Sequence, residues 1–399
     1  MMILFDLSAT QPVTNNDFHG GGEYAKTVFL KLCESLSSDT SLEVFYNPVK
    51  NIDTSLFDVC RTKGIPVHAC NNNKDISKLL YEKNYTVFYS ALPYDYFDIV
   101  IPSETEFIYT VHGLRFLEYP ADKYELKYKK NNFKIKIKHI LFLFFPKIWY
   151  KYKKSKNINR FNRLFSLTNN QTIITVSNHS KYSIAYFFPK INNSNIKTLY
   201  SPLKQFSIDS GKNNGILGSF SLESEKYILL IGGDRSEKGA YRACIVLNKL
   251  IKAGKIPEHI KVLVLGVSHK KKYLRLTNKN CRFEFHDYVS TDDLETFYKN
   301  AHLFLYPTMN EGFGYPPMEA MKYGTLCACS ANSAVTEVYG DSVLYFNPFD
   351  ETEMSIRILQ SFDNEIRNEK SEKMPVHYQK IRARQEQDLD ILAQTILSP

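Results

Sequence analysis

Short apolar runs alternate with longer amphipathic segments along this chain, and they do so in two successive sets. Each run is bounded by glycine, proline, asparagine or serine, which is typical of buried strands in a mainly parallel sheet. In the first set the predicted strands are residues 2–8, 42–47, 86–91, 106–112 and 172–177. In the second set they are residues 226–232, 261–266, 283–289, 301–307, 325–330 and 342–347. The pattern predicts an α/β protein with two doubly wound domains.

The segment between the two sets has the composition of a linker. Residues 204–225 are rich in glycine, serine and asparagine, and a chain of 399 residues is long enough for two ordinary domains. We therefore predict a first Rossmann-like domain over residues 1–203 and a second over residues 226–376. The remaining segment, residues 377–399, has a helical pattern.

Composition narrows the class of protein. With 43% hydrophobic and 23% charged residues the chain is globular, neither disordered nor membrane-spanning. The seven cysteines are scattered and include no CxxC pair, which favours reduced, buried thiols in the cytoplasm. The opening residues MMILFDLSAT lack a basic region, so we read them as a first strand and not as a signal peptide.

The positive charge of the chain is concentrated in one segment. Residues 121–165 contain 14 lysines and arginines but only two acidic residues, whereas acidic residues are in excess elsewhere. The basic residues alternate with aromatic ones around a short apolar run, residues 140–145. Such a segment is typical of surfaces that bind anionic phospholipids, and its apolar run is far too short to span a bilayer.

Two other readings of residues 121–165 remain open. Basic and aromatic residues also line grooves for single-stranded nucleic acids, although the chain has no recognised nucleic-acid-binding motif, and we expect no nucleic-acid partner. Alternatively, the segment is a solvated insertion of the first domain whose apolar part packs on that domain. We favour contact with a membrane surface, which would place the cytoplasmic protein at the inner face of the cell membrane.

The segment EGFGYPPME, from Glu311 to Glu319, is the most informative motif of the chain. It follows a predicted strand and leads into a short helix that two prolines would start. In open α/β sheets, ligands bind at such corners, beyond the carboxyl ends of the strands. Glycines allow backbone amides to approach a ligand, and carboxylates accept hydrogen bonds from neighbouring hydroxyl groups. The motif therefore predicts a sugar site.

This motif, with SANSAVTEVYGDSVLYFNP after it, resembles the retaining glycosyltransferases of family 4, which have the GT-B fold. The resemblance implies two domains facing across a cleft, with the last helix crossing back to the first domain. It also implies that Glu311 and the amides of Gly312, Phe313 and Gly314 contact the donor sugar. By the same resemblance, Glu319 holds the ribose of a nucleotide-diphosphate sugar.

A second motif, IGGDRSEKGAYR, begins at Ile231. A strand ends at Gly233, and the following helix would present free amides to an anion. Arg235 and Lys238 would add charge-assisted contacts to a diphosphate. The spacing is not that of a Walker A loop, which excludes that type of ATPase site. The family resemblance assigns Arg235 and Lys238 to the departing nucleotide, in place of a metal ion, so we expect neither a metal nor a cofactor.

Weaker candidates come from the first half and from the strand near residue 286. The loop HGGGEY contains Gly21 and Gly22 at the position of the GT-B glycine loop, and His112 ends a strand where relatives have a donor-pocket histidine. Gly113 stands where many relatives have aspartate. Tyr288 and Val289 follow the strand that lies beside the nucleobase in relatives, where main-chain atoms read the base.

The resemblance implies transfer of a hexose-type sugar, with retention of anomeric configuration, to a carbohydrate or lipid-linked oligosaccharide acceptor. His112, Arg235, Lys238 and Glu311 would be the catalytic residues, and surface polysaccharide assembly (O-antigen or capsule) the setting. The alternative function is a catalytically inactive partner of GT-B shape or a carbohydrate-binding protein. An epimerase of the same shape is disfavoured by the spacing of the two glutamates.

Overall fold

The computed structural model describes residues 1–12, 20–119, 122, 124–128, 137, 144–203 and 215–398. The chain forms two compact units. Unit 1 comprises Met1–Leu117, Lys154–Gln205 and Arg382–Pro399, and unit 2 comprises Glu118–Lys153 and Phe206–Ile381. No helix among the described residues is both long and apolar enough to cross a membrane.

Unit 1 is built on a seven-stranded parallel sheet of order β3-β2-β1-β4-β5-β6-β7. Its inner strands carry almost only buried residues, which explains why their sequences read as continuous apolar runs. The strands are β1 (Met2–Asp6), β2 (Ser41–Tyr46), β3 (Val67–Ala69), β4 (Val87–Ser90), β5 (Glu106–Val111), β6 (Gln171–Thr175) and β7 (Ile196–Thr198). The helices that begin before residue 200 are α1 (Gly20–Ser35), α2 (Thr54–Lys63), α3 (Asn73–Lys83), α4 (Arg115–Glu118), α5 (Pro146–Phe165) and α6 (Asn178–Phe187).

Unit 2 contains a six-stranded parallel sheet of order β10-β9-β8-β11-β12-β13. The helices Ala240–Lys252 and Glu351–Gln360 pack on it through a core that includes Leu247, Val264 and Ile358. The strands are β8 (Tyr227–Leu230), β9 (Lys261–Val264), β10 (Phe283–Phe285), β11 (Leu303–Tyr306), β12 (Cys327–Ser330) and β13 (Leu344–Phe346). The helices are α7 (Gly215–Ser219), α8 (Ala240–Lys252), α9 (Lys271–Leu276), α10 (Thr291–Asn300), α11 (Tyr315–Met321), α12 (Ser333–Tyr339), α13 (Glu351–Gln360) and α14 (Asn364–Leu397).

The last helix, α14, is longer than the predicted segment 377–399 and contains Pro375. From Arg382 onward its residues belong to unit 1. Asp388 accepts a 2.7 Å hydrogen bond from the Tyr200 amide, and the Arg384 guanidinium lies 3.6 Å from the centre of the Tyr200 ring. Asp388 is therefore buried.

The basic segment is divided between the units. Residues 121–165 were predicted to belong to the first domain, whereas Glu118–Lys153 groups with unit 2. A buried ion pair explains this grouping: Arg242 Nη2 of α8 lies 2.8 Å from Asp122 Oδ1. The predicted linker, residues 204–225, lies outside the described residues as far as residue 214; residues 215–219 form α7.

Two units with parallel, doubly wound sheets confirm the fold class that the sequence predicted. The apolar runs located the inner strands to within a few residues. The seven cysteines are free thiols, and all except Cys281 are buried.

Candidate active site

The sheet of unit 2 reverses its strand order between β8 and β11. At such a switch point the loops that follow the two strands diverge and leave a crevice, which is where open α/β sheets bind ligands. The loop after β8 carries Gly232, Arg235 and Lys238, and the loop after β11 carries Glu311. The two motifs found in the sequence therefore lie at the same point of one sheet.

Lys238 and Glu311 are in direct contact across this switch point. Lys238 Nζ donates a 2.6 Å hydrogen bond to Glu311 Oε1, and both side chains are largely buried. The same carboxylate oxygen accepts hydrogen bonds from Tyr306 Oη and Thr308 Oγ1, each at 2.7 Å. Tyr306 Oη also accepts a 3.0 Å hydrogen bond from Lys238 Nζ. Four side chains thus form one buried polar cluster.

The cluster stabilises the ionised form of Glu311. Burial acts to raise the pKa of Glu311, but the adjacent Lys238 ammonium and the hydrogen bonds from Lys238, Thr308 and Tyr306 outweigh it and lower the pKa to about 2. The carboxylate is therefore charged at neutral pH. The Glu311 carboxylate can accept a hydrogen bond from a sugar hydroxyl while the Lys238 ammonium beside it pairs with a phosphate.

Glycines allow the loop after β8 to reach β11. Gly239 has φ +70°, and a Cβ there would lie 2.0 Å from the Pro307 carbonyl oxygen. Gly232 has φ +69°, and its Cβ would lie 2.9 Å from Lys238 Cγ. Side chains at either position would displace Lys238 or the loop that precedes Glu311. The two glycines are thus required for the Lys238–Glu311 contact.

Gly233 and Arg235 were predicted to lie against a diphosphate. A Cβ at Gly233 would lie 2.3 Å from Val267 Cγ2, so this turn packs closely on the loop after β9. Arg235 pairs with Glu237 through Nη2 at 2.9 Å, and its side chain is half exposed. Arg235 therefore stands at the rim of the switch point, whereas Lys238 is buried within it.

The loop EGFG is held by residues from α12 and the turn before it. The Glu311 amide donates a 2.9 Å hydrogen bond to Ser333 Oγ, and Ser333 has an unusual positive φ of 48°. Asn332 Nδ2 donates to the Met309 carbonyl at 2.9 Å. Gly314 has φ +93° and precedes α11, and its carbonyl accepts from Tyr339 Oη. Phe313 is buried, and the loop is thereby fixed before any ligand arrives.

Glu319 lies in the second turn of α11 and is buried. It is close to the Tyr298 phenol. Burial, and secondly the Glu319 carboxylate, raise the pKa of Tyr298 well above its usual range. Gly312 lies between Glu311 and Phe313 in the loop. The ribose contact predicted for Glu319 stays a prediction.

The base-side candidates are at the surface of unit 2. Tyr288 and Val289 follow β10, and the Tyr288 side chain is exposed. The His286 carbonyl accepts from the Val267 amide at 2.8 Å, which joins this loop to the one after β9. The backbone here is fixed, as a main-chain contact to a base would require.

The remaining candidates belong to unit 1. His112 follows β5; its Nε2 is 3.0 Å from the Ala91 carbonyl oxygen, and its ring packs edge-on against Tyr24. Gly21 and Gly22 lie in the first turn of α1, where a Cβ at Gly21 would meet the Leu92 side chain at 2.7 Å. His19, which opens the glycine loop, lies outside the described residues.

Three residues of the site were not predicted from the sequence: Tyr306, Thr308 and Ser333. The first two belong to the apolar run before the motif, where they read as strand residues, and Ser333 reads as a helix cap. The one signal in the sequence is the spacing of three residues from Thr308 to Glu311, which allows two side chains to meet within one turn. Among the described residues, no group of three histidine, cysteine or acidic side chains is arranged to hold a metal ion.

Residues 218–377 match the family model described as glycosyl transferases group 1. A curated relative, the O-antigen chain mannosyltransferase RfbU of Salmonella typhimurium (strain LT2), is 27% identical over 184 residues. That match covers 45% of this chain and 47% of the relative. The chain spans less than half of the length of the curated relatives that it matches.

Solved structures match over the whole chain. WaaG, a glycosyltransferase involved in lipopolysaccharide biosynthesis, has a TM-score of 0.65 at 12% identity, with 100% of each chain covered. Anabaena Alr3699/HepE in complex with UDP-glucose has a TM-score of 0.63 at 12% identity, covering 99% of this chain and 100% of that one. The chain therefore has the GT-B fold, and the family match to residues 218–377 supports a glycosyltransferase.

Proposed function

We propose that this protein transfers a hexose-type sugar from a nucleotide-diphosphate sugar to an acceptor hydroxyl, with retention of anomeric configuration and without a metal ion. The observation that carries the proposal is the buried contact between Lys238 and Glu311 at the switch point of the unit 2 sheet. The family match over residues 218–377 supports it. The mannosyl activity named for the Salmonella relative makes mannose the first sugar to test.

The two residues have complementary roles. The Lys238 ammonium would stabilise negative charge on the departing diphosphate, and Arg235 would add a second cation at the rim. The Glu311 carboxylate would accept hydrogen bonds from hydroxyl groups of the donor sugar and so orient its anomeric carbon. Glu319 would hold the ribose, and Gly312, Phe313 and Gly314 would present backbone amides. His112, Gly21 and Gly22, which lie in unit 1, stay candidates from the family resemblance.

Retention would follow from reaction on one face of the sugar. The bond from the anomeric carbon to the diphosphate oxygen breaks while the acceptor oxygen bonds to the same face. The acceptor proton passes to the departing diphosphate. No carboxylate nucleophile is needed in this scheme, in contrast to retaining hydrolases. Most of the rate enhancement would come from orientation and from stabilisation of the leaving group.

We further propose a lipid-linked oligosaccharide of a bacterial surface polysaccharide as the acceptor, reached at a membrane surface. Ile148 and Tyr152 lie one turn apart on α5, Phe144 and Phe145 precede it, and all four are more than half exposed. Exposed lysines alternate with them. Apolar side chains that insert among headgroups, beside lysines that pair with phosphates, suit an anionic bilayer surface.

The direct test is turnover of defined donors. GDP-mannose, UDP-glucose and dTDP-linked hexoses are incubated with the protein and a lipid-linked acceptor extract, and release of the nucleoside diphosphate is measured with and without EDTA. We expect one donor to be consumed at an EDTA-insensitive rate, with a product of unchanged anomeric configuration by NMR. An inverted product would refute retention, and loss of activity in EDTA would refute metal independence. Nucleotide binding without turnover of any donor would favour the inactive partner.

A further inference from the structure

A short strap of unit 2 contacts the candidate donor site at three places. The strap consists of the described residues Glu118 and Tyr119, just before the basic aromatic segment, and Asp122 and 124–128 at its beginning. From the sequence, residues 121–165 were predicted either to contact a membrane surface or to form an insertion that packs on the first domain. In the structure, the strap contacts residues next to those that carry Glu311, Lys238 and Arg235.

The first contact lies next to Glu311. Asn310 Nδ2 donates a hydrogen bond to Glu118 Oε2, and Asn310 is buried. The Asn332 side-chain amide donates a hydrogen bond to the carbonyl of Met309, the residue before Asn310. The residue before the catalytic candidate is thus fixed by a strap carboxylate, and Glu118 is occupied in this contact.

The second place of contact is the start of α8. Asp122 forms the buried 2.8 Å ion pair with Arg242, whose guanidinium lies 4.9 Å from the Tyr124 ring. Tyr128 Oη accepts a 3.1 Å hydrogen bond from the Tyr241 amide, in the first turn of α8. These side chains fix the helix that begins directly after Lys238 and Gly239.

Tyr128 also reaches the loop that carries Arg235. Lys272 Nζ lies 4.1 Å from the centre of the Tyr128 ring and donates a 2.9 Å hydrogen bond to Asp234. Asp234 in turn accepts a 2.7 Å hydrogen bond from the Ser268 amide. The ring therefore packs on the cation that holds the residue preceding Arg235.

We propose that this strap positions the donor site, with Glu118 holding the Glu311 loop through Asn310. Glu118 is a positioning residue: it does not touch the sugar nucleotide but keeps Glu311 where the sugar needs it. That the site binds a sugar donor rests on the proposed function, whereas the positioning of the loop does not. Because a displacement of about 1 Å can cost about 100-fold in rate, one such anchor has a measurable effect.

The test compares Glu118→Ala and Glu118→Gln with the matched surface variant Glu372→Ala, whose side chain is exposed. Glutamine keeps an oxygen that can accept from Asn310, whereas alanine leaves the buried amide unpaired. Hydrogen exchange of the peptide spanning residues 308–318 is measured first. We expect faster exchange only in Glu118→Ala. Unchanged exchange in that variant would overturn the proposal, whatever the protein's activity.

Turnover of the donor then separates positioning from direct contact. We expect kcat to fall about tenfold in Glu118→Ala, with the Kd of the free nucleotide unchanged and Glu118→Gln near wild type. In a double-mutant cycle, Asn310→Ala should abolish most of the effect of Glu118→Ala. An equal loss in both Glu118 variants, or additive effects with Asn310→Ala, would refute positioning through Asn310. A wild-type protein without turnover would refute the proposed function. The hydrogen-exchange result would then decide alone whether the strap positions the Glu311 loop.

Discussion

Lys238 Nζ lies 2.6 Å from Glu311 Oε1, in a buried contact between the loops that follow two neighbouring strands of unit 2. The two residues are 73 positions apart in the chain. An ammonium and a carboxylate are both costly to bury alone, and the pair is tolerated because each neutralises the other. Substitution of either residue, or of the groups that hydrogen-bond to them, should therefore have measurable effects.

Lys238→Ala should lower donor turnover far more than donor affinity. The lysine would act mainly on charge that develops on the leaving diphosphate, so we expect kcat to fall by about 10²–10³. The Kd of the donor should change less than tenfold. Steady-state kinetics and calorimetry check both quantities. Lys226→Ala, at an exposed ion pair of the same unit, is the control and should behave as wild type. A change confined to affinity would show that Lys238 only binds.

Tyr306→Phe removes one hydroxyl and leaves the buried ring. That hydroxyl donates to Glu311 and accepts from Lys238, so its loss should loosen both side chains. We expect turnover to fall about tenfold and the free energy of unfolding to fall by about 1 kcal/mol. Kinetics and denaturant unfolding measure the two effects. The control, Tyr323→Phe, removes a hydroxyl that donates to Glu295, and should leave turnover intact. Equal activity of Tyr306→Phe and wild type would exclude a role for the hydroxyl.

Glu311 should make the free energy of unfolding depend on pH. Its pKa in the fold is about 2, below the ordinary glutamate pKa of 4.5, so its stabilising effect is full above pH 4.5 and declines as the pH falls towards 2. The difference corresponds to about 3 kcal/mol.

Unfolding of wild type and Glu311→Gln by urea at pH 7 and pH 3 measures this effect. We expect the stability difference between the two proteins to shrink as the pH falls. Glu372→Gln, an exposed site, is the control. A difference that is independent of pH would mean that Lys238 does not lower the pKa of Glu311.

Binding to anionic vesicles should depend on the exposed apolar residues at α5. Replacing both Phe144 and Ile148 by serine removes apolar area that would enter the bilayer, so we expect co-sedimentation with phosphatidylglycerol vesicles to fall at least fivefold at low salt. Val376→Ser, at an equally exposed apolar residue of α14, is the control. High salt should weaken wild-type binding because it screens the lysines. Absence of wild-type binding at low salt would refute membrane contact.

The apolar runs of the sequence predicted the inner strands well, because a strand buried on both faces needs nearly continuous apolar residues. β3 and β7, at the edges of their sheet, were missed. Each has only three residues, and β3 is partly or fully exposed along its length, so neither leaves a recognisable run. Predicted strands also extended past β10 and β11 into loops, since Tyr288 and Pro307 continue the apolar pattern after the ladder ends.

The candidate site was predictable where a charged residue lies next to a glycine in a loop after a strand, as at Lys238 and Glu311. Tyr306, Ser333 and Glu118 could not be found in this way. Their roles depend on which side chains the folded loops bring together, and their own segments read as a strand, a cap and a short helix. The grouping of Glu118–Lys153 with unit 2 likewise depends on tertiary contacts, among them the ion pair of Asp122 with Arg242.

Calorimetric titration with GDP, UDP and dTDP tests the central claim most directly, namely that the switch point of unit 2 holds a sugar nucleotide. Wild type is compared with Glu319→Ala, which should lose the ribose contact, and with the exposed control Glu372→Ala. We predict that one nucleotide binds wild type and the control equally, and binds Glu319→Ala at least tenfold more weakly. Binding of none of the three, or equal binding to all three proteins, would contradict a donor site at this position.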